Sequence, residues 1–194
     1  MIDLNLFPIK NKTQASVGKV LISEPLSDED YFGRSLVLLT EHDDEKGSLG
    51  FVLNKKSNFV LSDLIEGTLA NFPIYYGGPV QEDTLHFIHT LGNHLKGSIP
   101  LCDTIYWGGN IDDLLKLNKL GMVQPSNVKC FVGYSAWTPL QLKQEVDSDL
   151  WLISSLSEKE ILSYNTTTQW QTVVRQLGDD YKTWLNIPND PALN

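Results

Sequence analysis

Cysteine is scarce in this chain, with Cys102 and Cys130 the only two. Two widely spaced cysteines make neither a disulfide framework nor a zinc motif, and their apolar neighbours mark them as small buried thiols. Long apolar runs are missing too, and none approaches the ~18 residues of a membrane-spanning helix. The opening MIDLNLFPIKNK puts Asp3 where a secretory signal needs basic residues and has no continuous apolar stretch. The reading is cytoplasmic, without membrane contact, and the sequons at Asn11 and Asn165 then carry no glycan. Positive charge is in deficit: 15 Lys and Arg face 24 Asp and Glu, for a net charge of −9. The tightest basic clusters are the pairs Lys10/Lys12 and Lys55/Lys56. Binding a phosphate backbone needs several cations on one surface, so direct nucleic-acid binding is disfavoured. HExxH, CxxC, GxGxxG and GxxxxGK[ST] patterns are all absent, and the chain calls for no metal and no cofactor.

What is present fits one globular domain over residues 1–194, with 41% hydrophobic and 20% charged residues. A chain of this length buries roughly 70% of its unfolded surface. Segments 18–23, 35–42, 49–54, 73–77, 84–89, 103–108, 128–134 and 150–155 are rich in Val, Ile, Leu and aromatics and bounded by Gly, Asp or Pro. They read as strands. Asn110 caps a helix over IDDLLKLNKL that Gly121 stops. Thr138-Pro139-Leu140-Gln141 is a capping box that starts a helix directly after Trp137, and Ser157 to Glu160 is a second. Trp170, Val173, Val174, Leu177, Tyr181 and Trp184 keep helical spacing, with Gly178 weakening or ending that helix. A short helix is expected around residues 61–67. Strands come first and helices later, which predicts α+β with a curved, mostly antiparallel sheet approaching closure.

The stretch GYSAWTPLQ resembles a nucleophile elbow, but Trp137 stands where a small residue is required. All four histidines also precede Ser135, against the hydrolase order. Ser135 is therefore read as a small residue needed at a strand end. Beyond it, Gln141 and Glu145 share a helical face, and Trp137 sits just before the cap. In the hairpin across DDEKG, Glu41 and Asp43 lie on one strand face and His42 on the other, which is no metal site. His86 and His89 point to opposite faces of their strand. The pair Gly77-Gly78 lets backbone approach something closely, either another strand or a ligand.

Three segments that carry four motifs in order together resemble one family. EPLSDEDYFGRSLVLLTEHDDEKGSLGFVLNKK, YYGGPV and FVGYSAWTPLQLKQEVDSDLW are similar to the pattern of the AlgH/YqgE family of bacterial cytosolic proteins. That pattern runs D-x-x-F-x-R-S-V-V-x-L-x-E-H, G-x-x-G-L-V-L-N-R-P, Y-x-G-G-P-V and G-Y-A-G-W-x-x-G-Q-L-x-x-E-I, and the match spans roughly residues 18 to 155 in order. Matching positions are Phe32, Arg34, Ser35, Glu41, His42, Gly50, Asn54, Gly77, Gly78, Pro79, Val80, Gly133, Tyr134, Trp137, Gln141, Glu145 and Trp151. Lys56 replaces a proline, Ser135-Ala136 replaces Ala-Gly, and Leu140 replaces a glycine. The resemblance implies a bifurcated, curved sheet forming a pseudo-barrel flanked by helices. It implies no established activity, although some members are labelled transcriptional regulators.

The functional expectation is a non-catalytic, regulatory binding protein for an unknown small molecule or protein partner. Its groove would be lined by Arg34, His42, Asn54, Gly77, Gly78, Trp137, Gln141 and Glu145, with Trp137 stacking on the ligand. Gln141 and Glu145 would orient that ligand, and Arg34 would supply positive charge. No catalytic residue is assigned on this reading. The alternative is a hydrolase-like enzyme that uses Glu145 or His42 as general base on a bound water.

Overall fold

Strands β1 (Val20–Ser23) and β2 (Leu36–Asp43) are apolar at successive positions because both faces of their sheet are covered. A computed structural model describes residues 13–25, 27, 31–65 and 72–187. Lys10, Lys12, Asn11 and the end of the helix expected over 61–67 lie outside the described residues. On one face Val20, Ile22, Leu36, Leu38 and Phe51 pack against Trp170, Val173, Tyr181 and Trp184. On the other, Leu21, Val37, Leu39 and Val52 meet Trp137, Leu142 and Trp151. A third cluster joins Ile74, Phe87, Cys130 and Val132 to Leu114.

The fold is α+β, with a mostly antiparallel 10-stranded sheet that does not close. The further strands are β3 (Gly47–Val52), β4 (Lys56–Val60), β5 (Pro73–Tyr76), β6 (Val80–His89), β7 (Ile99–Cys102), β8 (Ile105–Trp107), β9 (Val128–Trp137) and β10 (Trp151–Ser154). Their order is β10-β1-β2-β3-β9-β6-β8-β7, with β5 pairing parallel to β9 and antiparallel to β4. Among the described residues the sheet is accompanied by helices α1 (Leu61–Leu64), α2 (Ile111–Lys119), α3 (Gln141–Asp147), α4 (Glu158–Ile161) and α5 (Gln169–Gln176), with a 3₁₀ segment over Asp179–Asn186. Among the described residues, no helix is long and apolar enough to cross a membrane.

The expected strands are all present, and β4 and β7 are additional. The capping signals hold at Asn110, whose Oδ1 accepts the Asp113 N–H at 3.0 Å, and at Ser157, whose Oγ accepts the Glu160 N–H at 3.4 Å. The helix after Trp137 begins later than its capping box suggests. Leu140 takes a left-handed conformation (φ 64°) and delays the helix to Gln141. Its N–H donates to the Asp44 carbonyl at 3.0 Å, pinning that turn to the β2–β3 hairpin. The left-handed backbone costs a leucine about 1 kcal/mol. The turn thus keeps a geometry that suits the glycine of the family pattern.

Strand β9 divides the sheet. Residues Cys130 to Val132 pair with β5, and Ser135 to Trp137 pair with β3. Gly133 (φ 65°) lies at the changeover. The Gly77 carbonyl joins the branches: it accepts the Val52 N–H at 2.9 Å and the Ser135 hydroxyl at 3.0 Å, while the Gly77 N–H donates to the Val132 carbonyl at 2.9 Å. A Cβ at Gly77 would lie 2.3 Å from the Gly133 oxygen, and one at Gly78 would lie 2.3 Å from the Ser135 nitrogen. Both glycines therefore admit strand β9.

Gly77→Ala should lower unfolding stability in urea by at least about 3 kcal/mol, since backbone rather than a side chain must yield. Ser135→Ala, which leaves the Gly77 carbonyl its Val52 partner, should cost only about 1 kcal/mol. Equal costs for the two would contradict the fork as a steric constraint.

Candidate functional site

Glu145 gathers the N–H groups of three side chains. Its Oε2 accepts from Trp137 Nε1 at 2.7 Å and Trp151 Nε1 at 2.8 Å, and its Oε1 accepts from Gln141 Nε2 at 2.9 Å. Gln141 Oε1 in turn accepts the Thr138 N–H at 2.9 Å and its hydroxyl at 3.1 Å. Trp137 and Trp151 are 5% and 4% exposed, and Phe32 packs on both rings, with centroids 6.2 and 5.5 Å away. A buried indole N–H needs an acceptor, and one carboxylate on α3 serves two indoles. Trp137, Gln141 and Glu145 thus meet, as their spacing predicts, but their polar groups are turned on one another.

Arg34 and Asn54 form a separate arrangement. Asn54 Oδ1 accepts the Leu36 N–H at 2.9 Å and its Nδ2 donates to the Arg34 carbonyl at 2.8 Å, which steadies the left-handed Arg34 (φ 52°) before β2. The Arg34 guanidinium lies 5.2 Å from the Trp170 ring centroid and donates to the Ile187 carbonyl at 2.5 Å. It ties the end of the 3₁₀ segment to the sheet. Gly77 and Gly78 stand at the fork, where their close partner is strand β9.

His42 keeps a position at an opening. Its Nδ1 lies 2.8 Å from Ser48 Oγ and its Nε2 lies 3.8 Å from Asp44 Oδ1, with the side chain 15% exposed. It borders a cleft of about 300 Å³ between the hairpin and α3, with Ala15, Lys143, Val146 and Asp147 among the other walls. Lys143 and Asp147 form an ion pair at 2.5 Å. Glu41 and Asp43 are exposed on the opposite strand face. His86 and His89 part as expected: His86 Nε2 lies 2.9 Å from Thr84 Oγ1, and buried His89 lies 2.9 Å from the Gly108 carbonyl. Among the described residues, no group of three His, Cys, Asp or Glu side chains is placed to hold a metal. Ser135 is 0% exposed and its hydroxyl is spent on Gly77.

Lys129 carries no motif and was not among the residues singled out by spacing. It is 0% exposed, its ammonium donates to the Ser163 carbonyl at 2.6 Å, and it lies 4.2 Å from the Tyr75 ring centroid and 6.0 Å from that of Tyr164. The Tyr75 hydroxyl beside it has no hydrogen-bond partner among the described residues. Burial pushes the Lys129 amine down to about 7 and the neighbouring Cys130 thiol up to about 12. A lysine alone in the apolar run VKCFV was the available signal, because period-2 alternation puts it on the face of Phe131.

A family described as AlgH-like matches residues 20–182. The chain belongs to the AlgH-like family. A UPF0301 protein of Parabacteroides distasonis is 39% identical over 98% of both chains. One from Bacteroides thetaiotaomicron is 36% identical over 100% of this chain and 99% of its own. Among solved structures, a Corynebacterium diphtheriae protein superposes with a TM-score of 0.79, covering 95% of this chain and 98% of its own at 20% identity. The AlgH protein of Pseudomonas aeruginosa gives 0.70, covering 92% and 98% at 20% identity. At that identity the structures establish the shared fold.

In this AlgH-like chain, Glu145→Gln should destabilise by about 2 kcal/mol or more in urea unfolding, because an amide cannot accept every bond the carboxylate accepts. A neutral result would mean that the indoles find other acceptors. Lys129 should show itself in pH dependence. Its amine titrates near 7 in the folded chain and near ~10.4 unfolded. Between those values the unfolded state binds more protons, so the lysine's destabilising contribution is full below pH ~7 and relieved as pH rises toward ~10. Lys129→Met should therefore exceed the parent most at pH ~7 and lose roughly 2–3 kcal/mol of that advantage by pH ~9. The difference between the two proteins cancels the opposing titration of Cys130. An advantage constant with pH would contradict a buried amine with a lowered proton affinity.

Proposed function

We propose that this AlgH-like chain is a non-catalytic, regulatory binding protein that takes a small polar ligand, or a polar segment of a partner protein, in the cleft beside His42. One observation carries the reading. Glu145, Gln141, Trp137 and Asn54 direct their hydrogen-bonding groups at the chain itself, whereas His42 presents Nε2 beside the cleft that Lys143 and Asp147 border. The Glu145 knot then fixes α3, and with it one wall of the cleft, instead of touching the ligand. An imidazole beside an amine and carboxylates suits recognition of groups that both donate and accept hydrogen bonds.

A second reading has one feature in its favour. His42 Nδ1 lies 2.8 Å from Ser48 Oγ, a base beside a hydroxyl, which keeps hydrolase-like chemistry with His42 as general base in view. Asp44, at 3.8 Å, is too distant to orient the ring by a direct hydrogen bond. Glu145 is less suited to that role, because three N–H donors already occupy its oxygens.

Native mass spectrometry of the protein as purified, before and after denaturation, tests the binding reading. A noncovalent mass lost in His42→Ala and Lys143→Ala is the expected outcome. For a protein partner, the equivalent is a chemical crosslink at Lys143 that His42→Ala abolishes. A mass or crosslink unchanged in both variants would move the site elsewhere. Hydrolysis of p-nitrophenyl acetate that disappears in Ser48→Ala would favour the second reading.

A further inference from the structure

Lys55 follows Asn54 in the link from β3 to β4, and its backbone is fixed from two sides. Asn54 is held by Arg34 and Leu36, and the Lys55 carbonyl accepts the Tyr76 N–H at 2.8 Å. Its side chain joins Tyr31, Val52 and Tyr76 around a cup of about 250 Å³. The same fork that admits β9 holds this cup open, since the Val52 N–H and the residue after Tyr76 are bonded through the Gly77 carbonyl. Among the described residues, the Lys55 ammonium has neither a hydrogen-bond nor an ion-pair partner, although it is half-buried.

We propose that this cup is a binding site for a small monocarboxylate with an apolar body, its carboxylate on the Lys55 ammonium and its body between Tyr31, Val52 and Tyr76. Two phenol rings and a valine offer apolar walls, and ligand pockets are typically apolar with a few placed polar groups. Lys55 is the cation among the described residues that line the cup, and it sets the charge. Among the described residues, no arginine fork and no helix N-terminus borders the cup, so a monoanion matches it better than a phosphate, which calls for more donors. Burial without a partner pulls the Lys55 amine below its ordinary range, a cost that a bound carboxylate would offset. The Tyr31 hydroxyl donates to Glu82 at the exposed side. That carboxylate is thereby engaged, and the Tyr31 ring is held over the cup.

The test is ¹⁵N–¹H NMR titration of the full chain with sodium benzoate, sodium hexanoate and benzamide, the last a neutral isostere of benzoic acid. Binding on the order of millimolar is expected for ligands of this size. Saturable shifts at Tyr31, Lys55 and Tyr76 with a carboxylate, and none with benzamide, support the site. Whichever of benzoate and hexanoate binds more tightly identifies an aromatic or an aliphatic body. Lys55→Met should weaken binding by about tenfold or more, a loss of ~1.4 kcal/mol, and Lys55→Arg should largely restore it. Benzamide binding as well as benzoate, Lys55→Met binding unchanged, or no saturable shift at these three residues would each overturn the proposal. The benzoate and benzamide pair is read on the parent protein alone, so the outcome does not depend on how well any variant folds.

Discussion

The Gly77 carbonyl is the point on which this architecture turns. One oxygen receives the Val52 amide of β3 and the Ser135 hydroxyl of β9, and the adjoining N–H reaches Val132 on the same strand. A strand has only two edges, and β9 gives one of them to β6. The other must be shared between β5 and β3. A shared edge leaves a gap in the ladder, and buried backbone groups in a gap need partners from outside the regular pairing. Ser135 supplies one, which is why a small hydroxyl residue in a strand-to-turn stretch can imitate a nucleophile elbow without being one. Glycines at 77, 78 and 133 follow from the same demand, since each would set a Cβ within 2.6 Å of facing backbone.

The far end of β9 obeys a related constraint. Trp137 and Trp151 close one face of the sheet, and each brings an indole N–H into a region with little water. Placing Glu145 one helical turn after Gln141 answers both N–H groups with one carboxylate and fastens α3 across the strand ends. The helix is only Gln141–Asp147, too short to persist by propensity alone. Its position is therefore a product of the knot and of the Leu140 turn on the hairpin. His42 borders a cleft because these two anchors leave a space between the hairpin and α3.

Much of this was legible in the chain because the signals were local. Alternating or continuous apolar runs marked β1, β2, β3, β5, β6, β8, β9 and β10, and the caps at Asn110 and Ser157 act where their spacing put them. Strands β4 and β7 were not legible: Lys56-Ser57-Asn58 carries polar residues on an edge, and Pro100 lies within a strand with a single partner. Both strands exist through their pairing, β4 with β5 and β7 in a tight hairpin with β8, which propensity alone does not encode. The meeting of Trp137, Gln141 and Glu145 was foreseen from helical spacing, whereas the closing contribution of Trp151 depends on β10 returning beside β1. Asn54 and Arg34 were singled out as polar residues at strand ends. Their work on backbone amides and carbonyls belongs to the three-dimensional path of the chain.

Two lysines are withdrawn from water away from any carboxylate among the described residues. In a chain with a net charge of −9, carboxylates are plentiful, and Lys46, Lys116, Lys143 and Lys182 each find one. Among the described residues, Lys129 and Lys55 lose water without gaining such a partner, and both sit along the branch formed by β4, β5 and β9. An ammonium removed from water and left without a carboxylate lowers stability, so folding alone gives no reason to keep it. For Lys129 the compensation lies within the fold, in the Ser163 carbonyl and the Tyr75 face, and a methionine could fill that space at less cost. For Lys55 the described residues offer no partner, and the walls around it are largely apolar. Departures from local consistency of this kind tend to mark places kept for something other than stability. The Lys55 cup fits that description better than the Glu145 knot, whose groups are already satisfied.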